Sequence, residues 1–257
     1  MLNRVSRSGK ILKLGNFDVC LVSFVNMLSV LQMLFLTSPR LAYALQLSSP
    51  RIVLQSCPPA DISKAAQLTV NAFYEEQKSF VTSVHFDTLT KLQSREMEQR
   101  YMLREQFQSL CDMFTMVDDR NNMIGVCELF LQELDYQLLL EVDPSIAGEL
   151  SPNNLGKVSV PKIANLAVER SYRGQGLGKR LVEACLNQSL TWGFQHISLF
   201  VDDDNKTARK MYHDLGFRDM YLDRTEKKYV IQGLWLKLVP ASKYLMMRRL
   251  NEYDSIP

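Results

Sequence analysis

A glycine-rich hexapeptide in the second half of the chain has the residue types of an anion-binding loop. The hexapeptide reads Arg173-Gly174-Gln175-Gly176-Leu177-Gly178. It follows an apolar run at residues 163–168 and precedes residues 177–190, where apolar side chains recur at helical spacing. This pattern predicts a strand, a glycine turn and a helix. The amides of such a turn and the positive end of the helix dipole stabilise an anion, and glycine lets the backbone approach it closely. The segment is therefore predicted to hold a phosphate-bearing ligand.

Two widespread nucleotide loops do not fit these letters. A Walker loop requires glycine five residues before a Gly-Lys pair and Ser or Thr after it, but Arg173 and Arg180 occupy those positions. A dinucleotide fingerprint requires glycine where Lys179 or Leu181 stands, depending on the frame. Neither class of nucleotide loop is indicated.

A second segment, residues 205–217, has the residues that begin and end a short helix. Asn205 is a good N-cap and Gly216 is a good helix stop. At about 3.6 residues per turn, the spacing from Asn205 to Tyr212 is close to two turns, so both lie on one face. Ala208 lies between them, and its small side chain leaves room for a ligand. The apolar residues 197–201 before this helix are predicted to form a strand beside the first one.

Together the two segments resemble the GNAT superfamily of N-acetyltransferases. The loop resembles the family's Arg/Gln-x-x-Gly-x-Gly/Ala pyrophosphate motif, and residues 205–217 are similar to its Asn-x-x-Ala-x-x-x-Tyr-x-x-x-Gly-Phe motif. The pattern is closest to plastid and bacterial protein N-acetyltransferases. The resemblance implies an α/β (α+β mixed) fold, in which a central mixed β-sheet is flanked by helices and splays open between its fourth and fifth strands.

The resemblance also implies acetyl-CoA as the co-substrate and a binding site in three parts. The pantetheine arm would pair with the central strand, the pyrophosphate would lie on the glycine loop, and the short helix would supply Tyr212 as general acid. A phenol suits that role because it donates a proton and stays protonated at neutral pH. The predicted cofactor-binding residues are Leu166, Ala167, Val168, Arg173, Gly174, Gln175, Gly176, Leu177, Gly178, Lys179, Asn205, Ala208 and Tyr212.

The glutamates that serve as general base in members of the family have no counterpart in this chain. Members that acetylate histone lysines often carry Glu where this chain has Lys162, and ribosomal-protein alanine acetyltransferases carry Glu at the position of Phe200. Glu128, on a strand predicted to lead toward the cleft, is the remaining candidate, and Asn165 is predicted to position a water molecule or the amine. The predicted catalytic residues are thus Tyr212, Glu128 and Asn165, with a solvated Glu128 and a core Asn165 as alternatives.

The expected activity is transfer of an acetyl group from acetyl-CoA to a primary amine by direct attack. A protein N-terminus or lysine is the expected acceptor. One alternative is a small-molecule acceptor such as a polyamine, an amino acid or a xenobiotic. The other is a non-catalytic acyl-CoA-binding module. We expect a monomer or a homodimer.

Composition argues against nucleic acid and metal. The net charge of the 257 residues is +2, and no polybasic tract appears. The five cysteines show no CxxC spacing, and the three histidines are dispersed, so no metal site is expected. The cysteines are Cys20, Cys57, Cys111, Cys127 and Cys185.

Residues 1–44 have the features of a targeting leader. Asp18 is the only acid among residues 1–60, residues 19–36 are mainly apolar, and Ala42-Tyr43-Ala44 offers a small-x-small cleavage site. The combination resembles the bipartite plastid leaders of algae with secondary plastids, and a secretory or mitochondrial signal is the alternative. The acetyltransferase domain is predicted to span residues 45–257, with no stable membrane anchor in the mature form.

The elements of that domain are predicted from apolar periodicity and turn residues. A first strand is expected at residues 51–55, a helix at 60–76 and a long helix or broken pair at 87–113. Two strands at 114–117 and 124–132 flank a polar turn, and 137–157 is expected to be a loop. Closing strands are expected at 217–222 and 244–248, separated by a polar stretch.

Overall fold

The computed structural model describes residues 51–75, 83–107, 110–232 and 235–250. Residues 1–51 separate from a second compact unit that begins at Ile52. The predicted leader, residues 1–44, lies outside the described residues. All the described helices and strands belong to the second unit.

A seven-stranded mixed sheet forms the centre of the second unit. The nine described strands are β1 Val53–Ser56, β2 Cys111–Val117, β3 Met123–Asp135, β4 Lys157–Val168, β5 His196–Asp202, β6 Arg218–Asp223, β7 Lys227–Gln232, β8 Trp235–Pro240 and β9 Lys243–Arg249. The large sheet has the order β1-β2-β3-β4-β5-β9-β6. Its neighbours are antiparallel except for β4 and β5, which are parallel. The predicted mixed sheet is confirmed.

Helices cover both faces of the sheet. They are α1 Ile62–Phe73, α2 Ser83–Phe107, α3 Tyr136–Val142, α4 Pro144–Ala147, α5 Leu177–Thr191 and α6 Lys206–Asp214. Helices α5 and α6 pack on the face that carries Cys127 and Ile163. Helices α1 and α2 pack on the opposite face, which carries Val126 and Ala167. The alternation follows from strand geometry, since successive side chains point to opposite faces.

The sheet opens between β4 and β5. The parallel ladder between them comprises two residue pairs, Lys162 with Ser198 and Ile163 with Leu199. On its other side, β4 stays paired with β3 as far as Val168. Among the described strands, residues 164–168 therefore have no partner on the β5 side. This opening is the splay between the fourth and fifth strands that the resemblance implied.

The segment 137–157, expected to be a loop, contains α3 and α4. The Asp135 carboxylate caps α3 by accepting from the Leu138 amide (3.2 Å). The Asp143 carboxylate caps α4 by accepting from the Ser145 amide (3.0 Å), and Pro144 occupies the first turn of that helix. Proline is tolerated there, because the N–H that it lacks would have no intrahelical partner. Pro144 therefore begins a helix within the segment that the sequence predicted to be a loop.

The polar stretch expected between the closing strands contains β7 and β8. These two strands pair with each other from Lys227 with Pro240 to Gln232 with Trp235 and form a separate two-stranded sheet. Trp235 and Leu238 are exposed on it. Because the hairpin has no single buried face, its sequence lacks the one-sided alternation that would have predicted it.

The long helix predicted at residues 87–113 begins and ends earlier in the structure than the sequence indicates. Helix α2 is described from Ser83 to Phe107, and residues 111–113 begin β2. The first helix, predicted at 60–76, is described as a short 3-10 turn, Pro59–Asp61, followed by α1.

Candidate active site

Strand β4 leads directly into the predicted pyrophosphate loop. The chain first makes a 3-10 turn at Arg170–Tyr172, which the Glu169 carboxylate caps by accepting from the Ser171 amide (3.0 Å). Gly174 and Gly176 then adopt left-handed φ angles of 77° and 78°. A Cβ at either position would meet no protein atom within 4 Å. Glycine is therefore required here by backbone conformation and not by crowding.

The loop ends as the first turn of α5. Gly176 is the N-cap, and the Arg180 amide donates to the Gly176 carbonyl (3.1 Å). The preceding amides, at residues 177–179, have no intrahelical acceptor because they lie in the first turn. That turn holds no acidic residue and carries Lys179 and Arg180. The amides, the dipole and the two cations together favour an anion such as a pyrophosphate.

The Arg173 guanidinium is engaged by protein groups. Its Nε donates to the Val168 carbonyl (2.9 Å), and its Nη1 lies 3.0 Å from Glu75 Oε2. The other oxygen of Glu75 lies 3.1 Å from Arg170 Nη1. These contacts link the loop to Glu75, which follows α1. The capacity of the segment to bind an anion therefore lies in its amides more than in Arg173.

Helix α6 begins and ends at the residues that the sequence indicated. The Asn205 side-chain oxygen accepts from the Ala208 amide (3.1 Å), and Gly216 follows the helix with a φ of 82°. A Cβ at Gly178 would lie 3.5 Å from Met211 Sδ. This short distance places α6 against the first turn of α5, beside the loop.

Tyr212 lies almost entirely inside the molecule. The side chain is 6% exposed and packs edge-on against Phe217, with ring centroids 5.8 Å apart. Burial raises the pKa of the phenol, and Cys127 and Cys185 add smaller contributions in the same direction. Among the described residues, none donates a hydrogen bond to the hydroxyl or accepts one from it. Tyr212 therefore carries a neutral O–H group that is available as a donor.

One apolar cluster brings together the three predicted parts of the cofactor site. It contains side chains from the end of β4, from the glycine loop and from α6. Gln175 and Lys179 are exposed on the loop, and Ala167 faces the opposite side of the sheet. The shared members are Leu166, Val168, Leu177, Ala208 and Tyr212.

Asn165 forms a bulge in β4 beside the opening. It has a left-handed φ of 52°, and the pairing with β3 shifts register between Glu128–Ala164 and Val126–Ala167. The Asn165 side-chain amide donates to Glu128 Oε2. Asparagine tolerates this φ better than most residues, and a bulge re-aims the strand around it.

Glu128 is completely buried and is held by two partners. Arg100 from α2 donates through Nε to Oε1 (3.2 Å) and through Nη2 to Oε2 (2.9 Å), while Asn165 binds Oε2. A bidentate pair of this kind stabilises the ionised carboxylate in place. The structure therefore brings the predicted catalytic residues Glu128 and Asn165 into contact. Their roles in catalysis stay predictions, and the geometry favours positioning of the bulge by Glu128 over proton transfer.

Sequence reasoning missed Arg100 and the environment of Lys162. Arg100 lies 28 residues from its partner Glu128, and no local spacing predicts that contact. Lys162 Nζ lies 4.9 Å from the centroid of the Phe200 ring and 5.7 Å from that of Phe130. In the sequence, Lys162 and Phe200 stand out only because they replace the family's glutamates.

Two further properties concern the described residues alone. Within them, no group of three His, Cys, Asp or Glu side chains is arranged to hold a metal ion. None of the described helices is both long enough and apolar enough to cross a membrane.

The mixed sheet splays beside its fourth strand, and that strand runs into a glycine-rich helix N-terminus. This combination defines a class of acyltransferases. The model of the acetyltransferase (GNAT) family matches residues 79–217, which is more than half of the chain. The chain belongs to this family.

Individual relatives match shorter segments. The GCN5-related N-acetyltransferase 4, chloroplastic, of Arabidopsis thaliana is 33% identical over 64 residues, or 25% of this chain and 22% of that protein. N-alpha-acetyltransferase 30 of Schizosaccharomyces pombe is 42% identical over 55 residues, or 21% of this chain and 37% of that protein. The chain thus spans well under half of the length of these relatives. A solved spermidine N-acetyltransferase chimera from Vibrio cholerae is 18% identical, with a TM-score of 0.49 over 80% of this chain and 99% of that one.

Proposed function

We propose that this protein is an acetyl-CoA-dependent N-acetyltransferase that acts on a primary amine. The observation that carries the proposal is the open edge of β4. Residues 164–168 have no partner on the β5 side among the described strands, and they lead directly into the loop of Gly174 and Gly176. An amide-containing arm that pairs with this edge would place its pyrophosphate at the N-terminus of α5.

Residues of β4, the glycine loop and α6 fit acetyl-CoA in three places. The backbone of Leu166, Ala167 and Val168 would pair with the pantetheine arm. The amides between Gly174 and Lys179 would hold the pyrophosphate. Asn205 and Ala208, at the start of α6, would border the arm where α6 approaches the loop. Bound acetyl-CoA supplies an activated acetyl thioester.

The chain then contributes to transfer in two ways. Backbone N–H groups on the open side of β4 polarise the thioester carbonyl and stabilise negative charge on its oxygen during attack by the amine. The Tyr212 hydroxyl donates a hydrogen bond and then its proton to the departing sulfur. Because burial raises the pKa of Tyr212, the phenol is protonated throughout the neutral range when the reaction begins.

A protein amine, either an N-terminus or a lysine, is the acceptor that we favour. The fission yeast relative is named an N-alpha-acetyltransferase, which supports a peptide acceptor. The exposed β7–β8 hairpin also offers apolar side chains, including Tyr229 and Trp235, beside which a peptide could lie.

The test combines the full-length chain with acetyl-CoA and three sets of amines. One set is a peptide library with free N-termini, the second is N-terminally blocked peptides with internal lysines, and the third is spermidine. Mass spectrometry then locates each new acetyl group. Acetylation of either peptide set supports the proposal, and acetylation of spermidine alone identifies a small-molecule enzyme. Binding of acetyl-CoA without any product would overturn catalysis and leave a binding module.

We also infer that residues 1–44 direct the chain to a plastid. The basic, apolar and small-x-small features of that segment support this address, as does the chloroplastic name of the Arabidopsis relative. A fluorescent fusion of residues 1–60, expressed in cells of an alga with secondary plastids, should accumulate in the plastid. Accumulation in the secretory pathway or in mitochondria would contradict the inference.

A further inference from the structure

Lys162 lies where the two central strands part. It pairs with Ser198, and the next pair, Ile163 with Leu199, ends the β4–β5 ladder. The Ser198 hydroxyl donates to the Pro161 carbonyl (3.0 Å), which ties the strands together at this point. Lys162 is therefore the last residue on its face of β4 that still pairs with β5.

Lys162 and Tyr212 lie on opposite faces of the sheet. Ile163 belongs to the same apolar cluster as Tyr212. Since side chains alternate along a strand, Lys162 points away from that cluster, and its contact with the Phe200 ring lies on the other face. A donor thiol and an acceptor amine that meet in the opening would thus have a phenol on one side and an amine on the other.

The Lys162 ammonium has no carboxylate partner within 4.0 Å among the described residues. Four charged groups influence it, from α2, β3, the segment before β7, and β9. The two carboxylates are each paired with another cation: Glu128 with Arg100 (2.9 Å) and Glu226 with Lys243 (3.6 Å). Lys162 is thus the cation of this group that remains without a salt bridge.

The environment makes Lys162 easier to deprotonate than a fully solvated lysine. Burial lowers the pKa of Lys162, and Lys243 and Arg100 lower it further, against the opposing effects of Glu226 and Glu128. The two aromatic faces attract the charged form and offset part of this shift. Lys162 is half-buried, and a lysine that is partly removed from solvent and has no salt bridge can serve as a base in enzymes.

We propose that Lys162, in its neutral form, accepts the proton that the acceptor amine loses during acetyl transfer. This inference rests on the proposed N-acetyltransferase function. The amine nitrogen forms a bond to the acetyl carbon, the carbon–sulfur bond breaks, the amine proton moves to Lys162 Nζ, and the Tyr212 proton moves to the sulfur. One proton passed from the Lys162 ammonium to the Tyr212 phenolate, through solvent, restores both groups. Glu128 is less suited to this role, because both of its oxygens are bound by Arg100 and Asn165.

Replacement of Lys162 by arginine separates charge from proton transfer. Lys162→Arg keeps a cation over the two rings but cannot release a proton near neutral pH. We expect kcat to fall about 100-fold or more, the range of general base catalysis, with the Kd for acetyl-CoA unchanged. Lys157→Arg, on the same strand but in an ion pair with Asp135, is the matched control and should retain full kcat.

The pH profile and chemical rescue distinguish a base from a structural cation. The wild-type kcat should rise with pH as Lys162 loses its proton, and Lys162→Arg should lose that limb. In Lys162→Ala, added trimethylamine should restore acetylation of a free-N-terminal peptide, because a tertiary amine accepts a proton but cannot be acetylated. Acetyl-CoA binding, measured by calorimetry, verifies that each variant is folded.

Two results would overturn different claims. Wild-type turnover that survives Lys162→Arg with an unchanged pH profile would overturn the role of Lys162 alone. A wild-type chain that acetylates no peptide and no spermidine would overturn the proposed function and the inference with it.

Discussion

At the scale of single residues, Tyr212 combines a packed ring with a free hydroxyl. The ring lies against Phe217 inside the cluster between the sheet and α5, and the described residues provide no hydrogen-bond partner for the hydroxyl. The hydroxyl is thus left available to donate a hydrogen bond to a ligand.

Tyr212→Phe should separate these two properties. The ring contacts remain, so we expect the free energy of unfolding to change by less than about 1 kcal/mol. Loss of the proton donor should reduce kcat by about 100-fold or more while the Kd for acetyl-CoA stays the same. Steady-state kinetics and urea unfolding measure the two quantities. Unchanged turnover would remove Tyr212 from the mechanism.

The Arg100–Glu128 pair is a second feature at this scale. Glu128 is fully buried, so Arg100→Met would leave an ionised carboxylate inside the protein with only Asn165 as donor. We expect a loss of about 3 kcal/mol in the free energy of unfolding, as for other broken buried pairs. Arg95→Met, at an exposed position on the same helix, should change it by less than about 0.5 kcal/mol. Equal urea midpoints for the two variants would show that the pair adds nothing.

At the scale of elements, the glycine loop has a left-handed backbone conformation on which acetyl-CoA binding is expected to depend. Gly176 caps α5 with a φ of 78°, and Gly193, after the other end of the same helix, has a φ of 84°. Neither position is crowded by other protein atoms. The two glycines thus have similar conformational demands, but only Gly176 lies in the candidate site.

Alanine at these two glycines should have the same effect on stability and different effects on binding. Each substitution is expected to cost about 1–2 kcal/mol of stability, because a Cβ disfavours left-handed backbone. Gly176→Ala should also weaken acetyl-CoA binding tenfold or more, which is about 1.4 kcal/mol. Calorimetry on both variants tests this. The loop would not be the pyrophosphate site if Gly193→Ala weakened binding equally.

The sequence predicted the elements that contain residues with strong local conformational preferences. Asn205 and Gly216 begin and end the short helix as predicted, and Gly174 and Gly176 lie in the predicted glycine turn, with left-handed φ angles that the sequence analysis did not specify. The contacts of Glu128 with Arg100 and of Lys162 with Phe200 join residues distant in sequence, and only the folded sheet brings them together. Local periodicity also missed the β7–β8 hairpin, because neither of its faces is continuously buried.

At the scale of the whole molecule, a buried histidine and two exposed charged residues link the sheet to the segment after α4. His196 is 2% exposed on β5, and its Nε2 lies 3.2 Å from Glu149 Oε2. Arg249 on β9 lies 3.1 Å from the same carboxylate oxygen. Burial lowers the pKa of His196, and Arg249 lowers it further while Glu149 opposes the shift.

Stability should therefore decrease in mild acid. The unfolded chain binds a proton at His196 once the pH falls below about 6.5, while the folded chain resists it. The contribution of His196 is thus complete at neutral pH and is lost as the pH falls from that value through the lower pKa of the folded state. Urea unfolding between pH 7 and 5 measures it. His196→Gln should flatten this dependence relative to wild type, and an identical slope in both proteins would assign it to other groups.

The central claim is that the open edge of β4 and the glycine loop form one acetyl-CoA site. Isothermal titration calorimetry of the full-length chain, with Gly176→Ala and Gly193→Ala beside it, tests that claim most directly. We predict saturable binding of acetyl-CoA by the wild type, weaker binding by Gly176→Ala, and unchanged binding by Gly193→Ala. Absence of binding by a folded wild-type chain would contradict the claim.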